Sequence, residues 1–208
     1  MIVLVIAPHP DDETIGCGGT LCLHGEEGDR VSVVFLTSGE LGLKHLPRDE
    51  ARAIRETEAR KAARILKLKD LSFLRCSDWM LGTEIPKAAR LLRPLIKRIQ
   101  PDLIYLPHPQ DAHPDHQAAL PILRAASKKS GFRPTPLRFY EVWTPLSHYD
   151  CVQDISPWMA RKLRALNAHQ SQLREFDYIR AVAGLNQYRG ALAAKCKFAE
   201  VFSETVRK

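Results

Sequence analysis

Hydrophobic residues along the chain alternate between two kinds of segment. Residues 2–7, 31–36, 71–74 and 103–106 are short, nearly continuous apolar runs, the pattern of strands covered on both faces. Between them lie amphipathic stretches at about 13–27, 48–66, 85–99 and 114–127. In the second of these Ala51, Ile54, Ala62, Ile65 and Leu66 share one face, with Arg55, Glu56, Arg60 and Lys61 on the polar side. Pro94 predicts a kink or break near Leu92. Alternation of this length predicts βαβ units, hence an α/β fold with a mostly parallel sheet and helices on both faces. Beyond Ser130 the pattern changes. Residues 137–144 and 149–155 read as two further strands, edge or antiparallel ones, followed by helices at 156–175 and 179–194. The expectation is one domain over residues 1–208, with a core at 1–130 and a C-terminal extension of strands and helices at 131–208 that contributes to a substrate cleft.

Composition narrows the class. With 208 residues, 45% hydrophobic and 26% charged, the chain is long enough for one core and is neither disordered nor fibrous. No apolar run approaches the roughly 20 residues of a membrane-spanning helix, and the opening run is too short for a secretory leader. Five cysteines without a C-x-x-C pair suit buried thiols in a reducing compartment, so cytoplasm is the expected location. The net charge of +7 raises nucleic acid as a partner. However, residues 1–128 hold 18 basic and 17 acidic side chains, leaving 13 and 7 for residues 129–208. The surplus is dispersed over the last third without forming a stripe, so no nucleic-acid partner is expected.

Two motifs carry the chemistry. His9-Pro10-Asp11-Asp12-Glu13 follows the first apolar run, and His113-Pro114-Asp115-His116 lies in the loop after the fourth. Each sets a proline at a first helical position with acidic or imidazole groups in the first turn. Both sit at the carboxyl ends of expected parallel strands, where open α/β sheets place their ligands. His9 and Asp12, three apart at a helix start, can face one point, and His116 can add a second imidazole. Two histidines and one carboxylate suit Zn²⁺, with Fe²⁺ or another divalent ion also accommodated. Asp11 should point away from Asp12, and a carboxylate beside the metal but free of it suits a general base. His113 suits an oxyanion contact or proton donation to a leaving amine, with Asp115 or Asp111 orienting its ring.

These residues, together with Gly16-Cys17-Gly18-Gly19, Thr37-Ser38-Gly39-Glu40, Arg55-Glu56-x-Glu58, Ala168-His169-Gln170-Ser171-Gln172 and Ala199-Glu200-Val201-Phe202, resemble the PIG-L/LmbE-like zinc-dependent N-acetylglucosaminyl deacetylases. The likeness runs in order over about 1–203. It implies a Rossmann-like fold and removal of an N-acetyl group from an N-acetylglucosamine-type sugar or conjugate. By position it implies His9, Asp12 and His116 as metal ligands, Asp11 as base, and His113 with Asp115 as its partner. Arg55 matches an arginine used on the substrate. Pro8 stands where an alanine is usual.

The remaining candidates stay open between two roles. Ser38 and Glu40 read as a turn or a substrate loop, and His169 as a cap or a lining of the far cleft wall. His108, between two prolines, reads as structural. The glycines at 16, 18 and 19 come too late for a dinucleotide fingerprint and read as close helix–sheet packing. Trp143, near a strand end, could border a sugar. Arg55 and the basic last third would suit an acidic aglycone. Alternatives to deacetylation are hydrolysis of another amide or a phosphoester, and a non-catalytic binding protein. Association into a homo-oligomer is possible for a compact α/β enzyme.

Overall fold

The computed structural model describes residues 1–128 and 135–204; the expected boundary between residues 130 and 131 lies outside them. The strands are β1 (Ile2–Ala7), β2 (Arg30–Thr37), β3 (Asp70–Cys76), β4 (Leu103–Pro107), β5 (Leu137–Tyr140), β6 (Cys151–Asp154) and β7 (Ala199–Glu204). The helices are α1 (Asp12–Glu26), α2 (Arg48–Leu66), α3 (Ile85–Ile99), α4 (Pro114–Ser127), α5 (Met159–Leu166), α6 (Gln170–Leu173) and α7 (Tyr178–Arg189). All seven strands form a sheet in the order β3-β2-β1-β4-β5-β7-β6. The first five are parallel, while β7 is antiparallel to both β5 and β6.

Side-chain alternation along the double-covered strands builds two cores. Leu4 and Ile6 of β1, with Val34, Leu36, Ile104 and Leu106, pack under α3 and α4. Val3, Val5 and Ala7, with Val33, Phe35 and Tyr105, pack under α1, α2 and Ala165 of α5. Three of the four apolar runs become the inner strands β1, β2 and β4, buried on both faces, whereas the run at 71–74, expected to be covered likewise, forms the edge strand β3 and is only half-buried.

The break that Pro94 could cause near Leu92 does not occur: α3 runs on to Ile99. Pro94 lies on the exposed side, as does Arg90 four residues earlier, so water can take up the carbonyl that proline leaves without a donor. The expected helix 156–175 is instead α5 and α6, parted at Asn167–His169. The expected helix 179–194 ends as an α-helix at Arg189 and closes with a π-turn over Gly190–Ala194. β7 was not expected as a strand. Its buried Glu200 interrupts the apolar run, and its place is set by pairing with β5 and β6.

Glu200 also shapes α1. That helix breaks at Cys17, where φ is −141°, and the freed N–H groups of Gly19 and Thr20 each donate to the Glu200 carboxylate at 2.8 Å. Lys162 of α5, fully buried, donates to the same carboxylate at 2.7 Å and to Asn186 of α7 at 2.8 Å. The C-terminal elements are thereby tied to the helix that begins at the first motif. Close approach explains the glycines: a Cβ at Gly16 would lie 2.2 Å from the Tyr140 ring, and one at Gly19 would lie 2.6 Å from Ile155.

Candidate active site

Strand order brings the two motifs together. The sheet reverses its direction of growth between β1 and β4, which are hydrogen-bonded neighbours, and ligands of open α/β sheets sit at such a switch point. His9 follows β1 and His113 follows β4 by a short loop. The first turn is closed by Asp12, which accepts the His9 N–H at 2.8 Å. Asp11 just before it has φ 128° and ψ −28°, a conformation costing a non-glycine residue about 1–3 kcal/mol. The Asp11 carboxylate pairs with Arg55 at 3.2 Å, while that of Asp12 meets His9 and His116. At the second motif His113 caps α4, its Nδ1 accepting the Asp115 N–H at 3.2 Å.

His9, Asp12 and His116 converge. His9 Nδ1 lies 3.2 Å from an Asp12 oxygen, His116 Nε2 lies 3.3 Å from the other Asp12 oxygen, and the two nitrogens are 3.3 Å apart. Donors at the usual Zn–N distance of about 2.0–2.1 Å in a tetrahedral shell are roughly 3.3 Å from one another, so the spacing fits a divalent ion. The far nitrogens are held as metal-binding imidazoles require. His9 Nε2 faces Asp115 and Asp78, each at 3.2 Å, and His116 Nδ1 faces Asp111 at 2.9 Å. In a neutral ring this network favours the proton on the far nitrogen, which would leave the near one free for a metal. Charge balance agrees. Asp11, Asp12, Asp78, Asp111 and Asp115 are all buried, and among the described residues Arg55 is the lone lysine or arginine ion-paired with any of them. Buried carboxylates in such number call for a cation.

The titration shifts follow from that crowding. Burial pulls the His9 imidazole down, but the Asp12 charge and hydrogen bonds with Asp115, Asp12 and Asp78 outweigh it and raise it well above the ordinary range. Burial opposes protonated His116 too, yet Asp12 and Asp111 lift it to about 9. Asp12 lies well below the carboxylate range, because the charges and hydrogen bonds of His116 and His9 overcome its burial. Burial raises Asp11 to about 7 against the pull of Arg55, with Asp12 adding to the rise. Burial, then His9 and His116, lower His113 to about 4.

Asp115 does not partner His113 as expected. Its carboxylate meets His9 and the backbone N–H groups of Trp79 and Leu81, at 2.8 and 3.0 Å, since the helix turn aims it back across β1. Asp111 likewise serves His116. His113 stacks on His116 at 4.8 Å and meets Trp79 at 4.5 Å. With Nδ1 accepting a backbone proton, its neutral ring carries hydrogen on Nε2.

A cleft of about 610 Å³ opens over these groups, lined by His9, Asp11, Asp12, Arg55, Asp78 and His113 at its base. Arg55, 3% exposed, reaches it but is largely committed: it donates to Pro10 O at 2.6 Å, Gly39 O at 3.2 Å and Asp11 at 3.2 Å. Ser38 and Glu40 do not line the cleft. Ser38 donates to Glu56, Glu40 turns toward Arg52, and Gly39, Leu41 and Gly42 form the wall instead. His169 is fully buried behind the wall with both ring nitrogens unpartnered, and Gln172, three residues on, takes the lining place. His108 is structural, its Nε2 against Thr144 O at 2.7 Å. Trp143 does border the cleft, with Phe176 and Tyr178. Asp78 and Tyr178 escaped the sequence reading. Asp78 had one usable signal, an acid just past the end of a parallel strand; Tyr178 had none.

Comparison with known proteins bears on this geometry. The family described as PIG-L, GlcNAc-PI de-N-acetylase, matches residues 4–127. A Bacillus anthracis protein named "Probable N-acetyl-alpha-D-glucosaminyl L-malate deacetylase 2" is 32% identical over 185 residues, 82% of this chain and 80% of its own. The diacetylchitobiose deacetylase of Thermococcus kodakarensis is 30% identical over 196 residues, covering 83% of this chain and 70% of its own. The solved N,N'-diacetylchitobiose deacetylase of Pyrococcus horikoshii superposes with a TM-score of 0.85 at 25% identity, over 98% of this chain and 83% of that one. The chain belongs to the PIG-L family of de-N-acetylases.

Proposed function

We propose that the protein is a zinc-dependent hydrolase that removes the N-acetyl group from an N-acetylglucosamine-type sugar or conjugate. One observation carries the reading. Two imidazoles, each held at its far nitrogen by carboxylates, turn their near nitrogens to Asp12 at 3.2–3.3 Å, with the carboxylate of Asp11 alongside. The relatives named for deacetylation of N-acetylated sugars support the substrate class.

His9, Asp12 and His116 would hold the ion. When bound, a divalent cation acidifies water and polarises a carbonyl. Asp11 takes the proton of the attacking water; its strained backbone and the Arg55 guanidinium fix the direction in which it does so. His113 directs its Nε2–H toward the acetamido oxygen, where negative charge develops. The proton gained by Asp11 passes to the sugar nitrogen as the C–N bond breaks, leaving acetate and a free amine. The phosphoester alternative would call for a second ion; His9, Asp78 and Asp115 stand close enough together to be a second candidate group, so metal content of one ion or two per chain separates the readings.

The test is turnover of a panel of N-acetylglucosaminides in ¹⁸O-water. The expected products are a free amino sugar and acetate carrying one ¹⁸O. No amine from any member of the panel would overturn the assignment.

A further inference from the structure

Glu13 ends the first motif, yet it is buried and is not among the described residues that line the cleft. Its carboxylate is held in two directions. One oxygen accepts the Thr14 hydroxyl at 2.7 Å, and the other accepts the Asp11 backbone N–H at 3.2 Å. The carbonyl of that same peptide unit, Pro10 O, accepts the Arg55 guanidinium at 2.6 Å. The Pro10–Asp11 peptide is therefore gripped at both ends, its C=O by Arg55 of α2 and its N–H by Glu13. On the far side of the residue, the Asp11 carbonyl accepts the N–H groups of Thr14 and Ile15 at 2.9 and 2.8 Å.

The grip falls on a strained residue. Asp11 has φ 128°, which a non-glycine residue keeps only where its surroundings over-determine it. Turning the Pro10–Asp11 peptide would relieve the strain, and it would swing the Asp11 carboxylate relative to His9 and His116. Glu13 opposes that turn. Asp11 is 5% exposed, and among the described residues no other acceptor takes its N–H, so without Glu13 a buried donor would stand unpaired. We propose that Glu13 is a positioning residue for hydrolysis: as acceptor of the Asp11 N–H it locks the Pro10–Asp11 peptide and so aims the Asp11 carboxylate at the attacking water. This rests on the deacetylase reading above, in which Asp11 is the base. The task needs an oxygen at one point and neither a charge nor a proton, so an amide in the same place should perform it.

Glu13→Gln keeps an oxygen toward the Asp11 N–H, and the Thr14 hydroxyl can turn to accept from the new amide, so kcat should stay near wild type. Glu13→Met keeps the bulk and removes the oxygen. Its kcat should fall about 10²-fold, with KM and metal content unchanged. Glu13→Asp draws the acid back by one methylene and should fall likewise; it stands in for methionine if that variant does not fold. In an Asp11→Asn background the same change at Glu13 should cost nothing further, because Glu13 acts through the carboxylate already lost. Wild-type kcat in the methionine and aspartate variants would overturn the assignment and leave deacetylation standing. So would an equal loss in Glu13→Gln, which would mark the charge as the working feature, or an undiminished effect in the Asp11→Asn background. A wild-type enzyme that releases no acetate from any N-acetylglucosaminide would overturn both readings.

Discussion

Asp11 combines an unfavourable backbone with a demanding position. Its φ of 128° is strained, and its carboxyl, raised to about 7 by burial, sits where a base for neutral pH is wanted. Function and stability should therefore separate at this residue. Asp11→Asn is expected to lower kcat by about 10²–10⁴-fold while metal content, read by elemental analysis, is retained. Asp11→Gly should unfold at a higher temperature than Asp11→Ala, by the equivalent of about 1–3 kcal/mol, because alanine keeps the strain that glycine relieves. His169 gives a second test. Burial lowers it to about 3, so below about 6.5 the unfolded chain takes up a proton that the folded chain refuses, and stability falls as pH falls from there toward 3. His169→Phe should lose stability less steeply over that window, which denaturant melts at several pH values would show. At this scale the motif residues were legible because each motif packs several reacting groups into four or five positions. Asp78 and Tyr178 were not, because each stands alone in sequence and gains meaning only beside groups remote from it along the chain.

At the scale of elements, α1 is the piece on which the site depends. Its break at Cys17 is held open by Glu200, and Glu200 is neutralised by Lys162. Removing the buried ammonium with Lys162→Met leaves the carboxylate unpaired, with an expected loss of about 3–5 kcal/mol in chemical denaturation. Gly16→Ala forces a methyl into the Tyr140 ring. Overpacking of this kind costs about 1–3 kcal/mol, and the displaced helix start should lower kcat as well. The inner strands were legible because burial on both faces leaves an unbroken apolar run. The C-terminal elements were less so: a buried acid disguises β7, and the break at Asn167–His169 carries no proline or glycine to announce it.

Across the whole molecule, strand order does what hydrophobic pattern cannot record. Motifs about 100 residues apart meet because β1 and β4 are neighbours. Among the described residues, the charge surplus of the last third does not line the cleft. Beyond residue 135 the described lining residues are Val142, Trp143, Gln172, Glu175, Phe176 and Tyr178, none of them basic. Lys44, on the loop after β2, and Arg55 are the lysine and arginine among the described lining residues. Among the described residues no helix is long and apolar enough to cross a membrane. The central claim, a divalent ion on His9, Asp12 and His116 serving deacetylation, is tested most directly by acetate release from an N-acetylglucosaminide before and after exhaustive chelation and after zinc is restored. The account predicts loss of release on chelation, recovery at one zinc per chain, and no recovery in His116→Ala at the same zinc concentration. Undiminished release from the chelated protein, or full recovery in that variant, would contradict it.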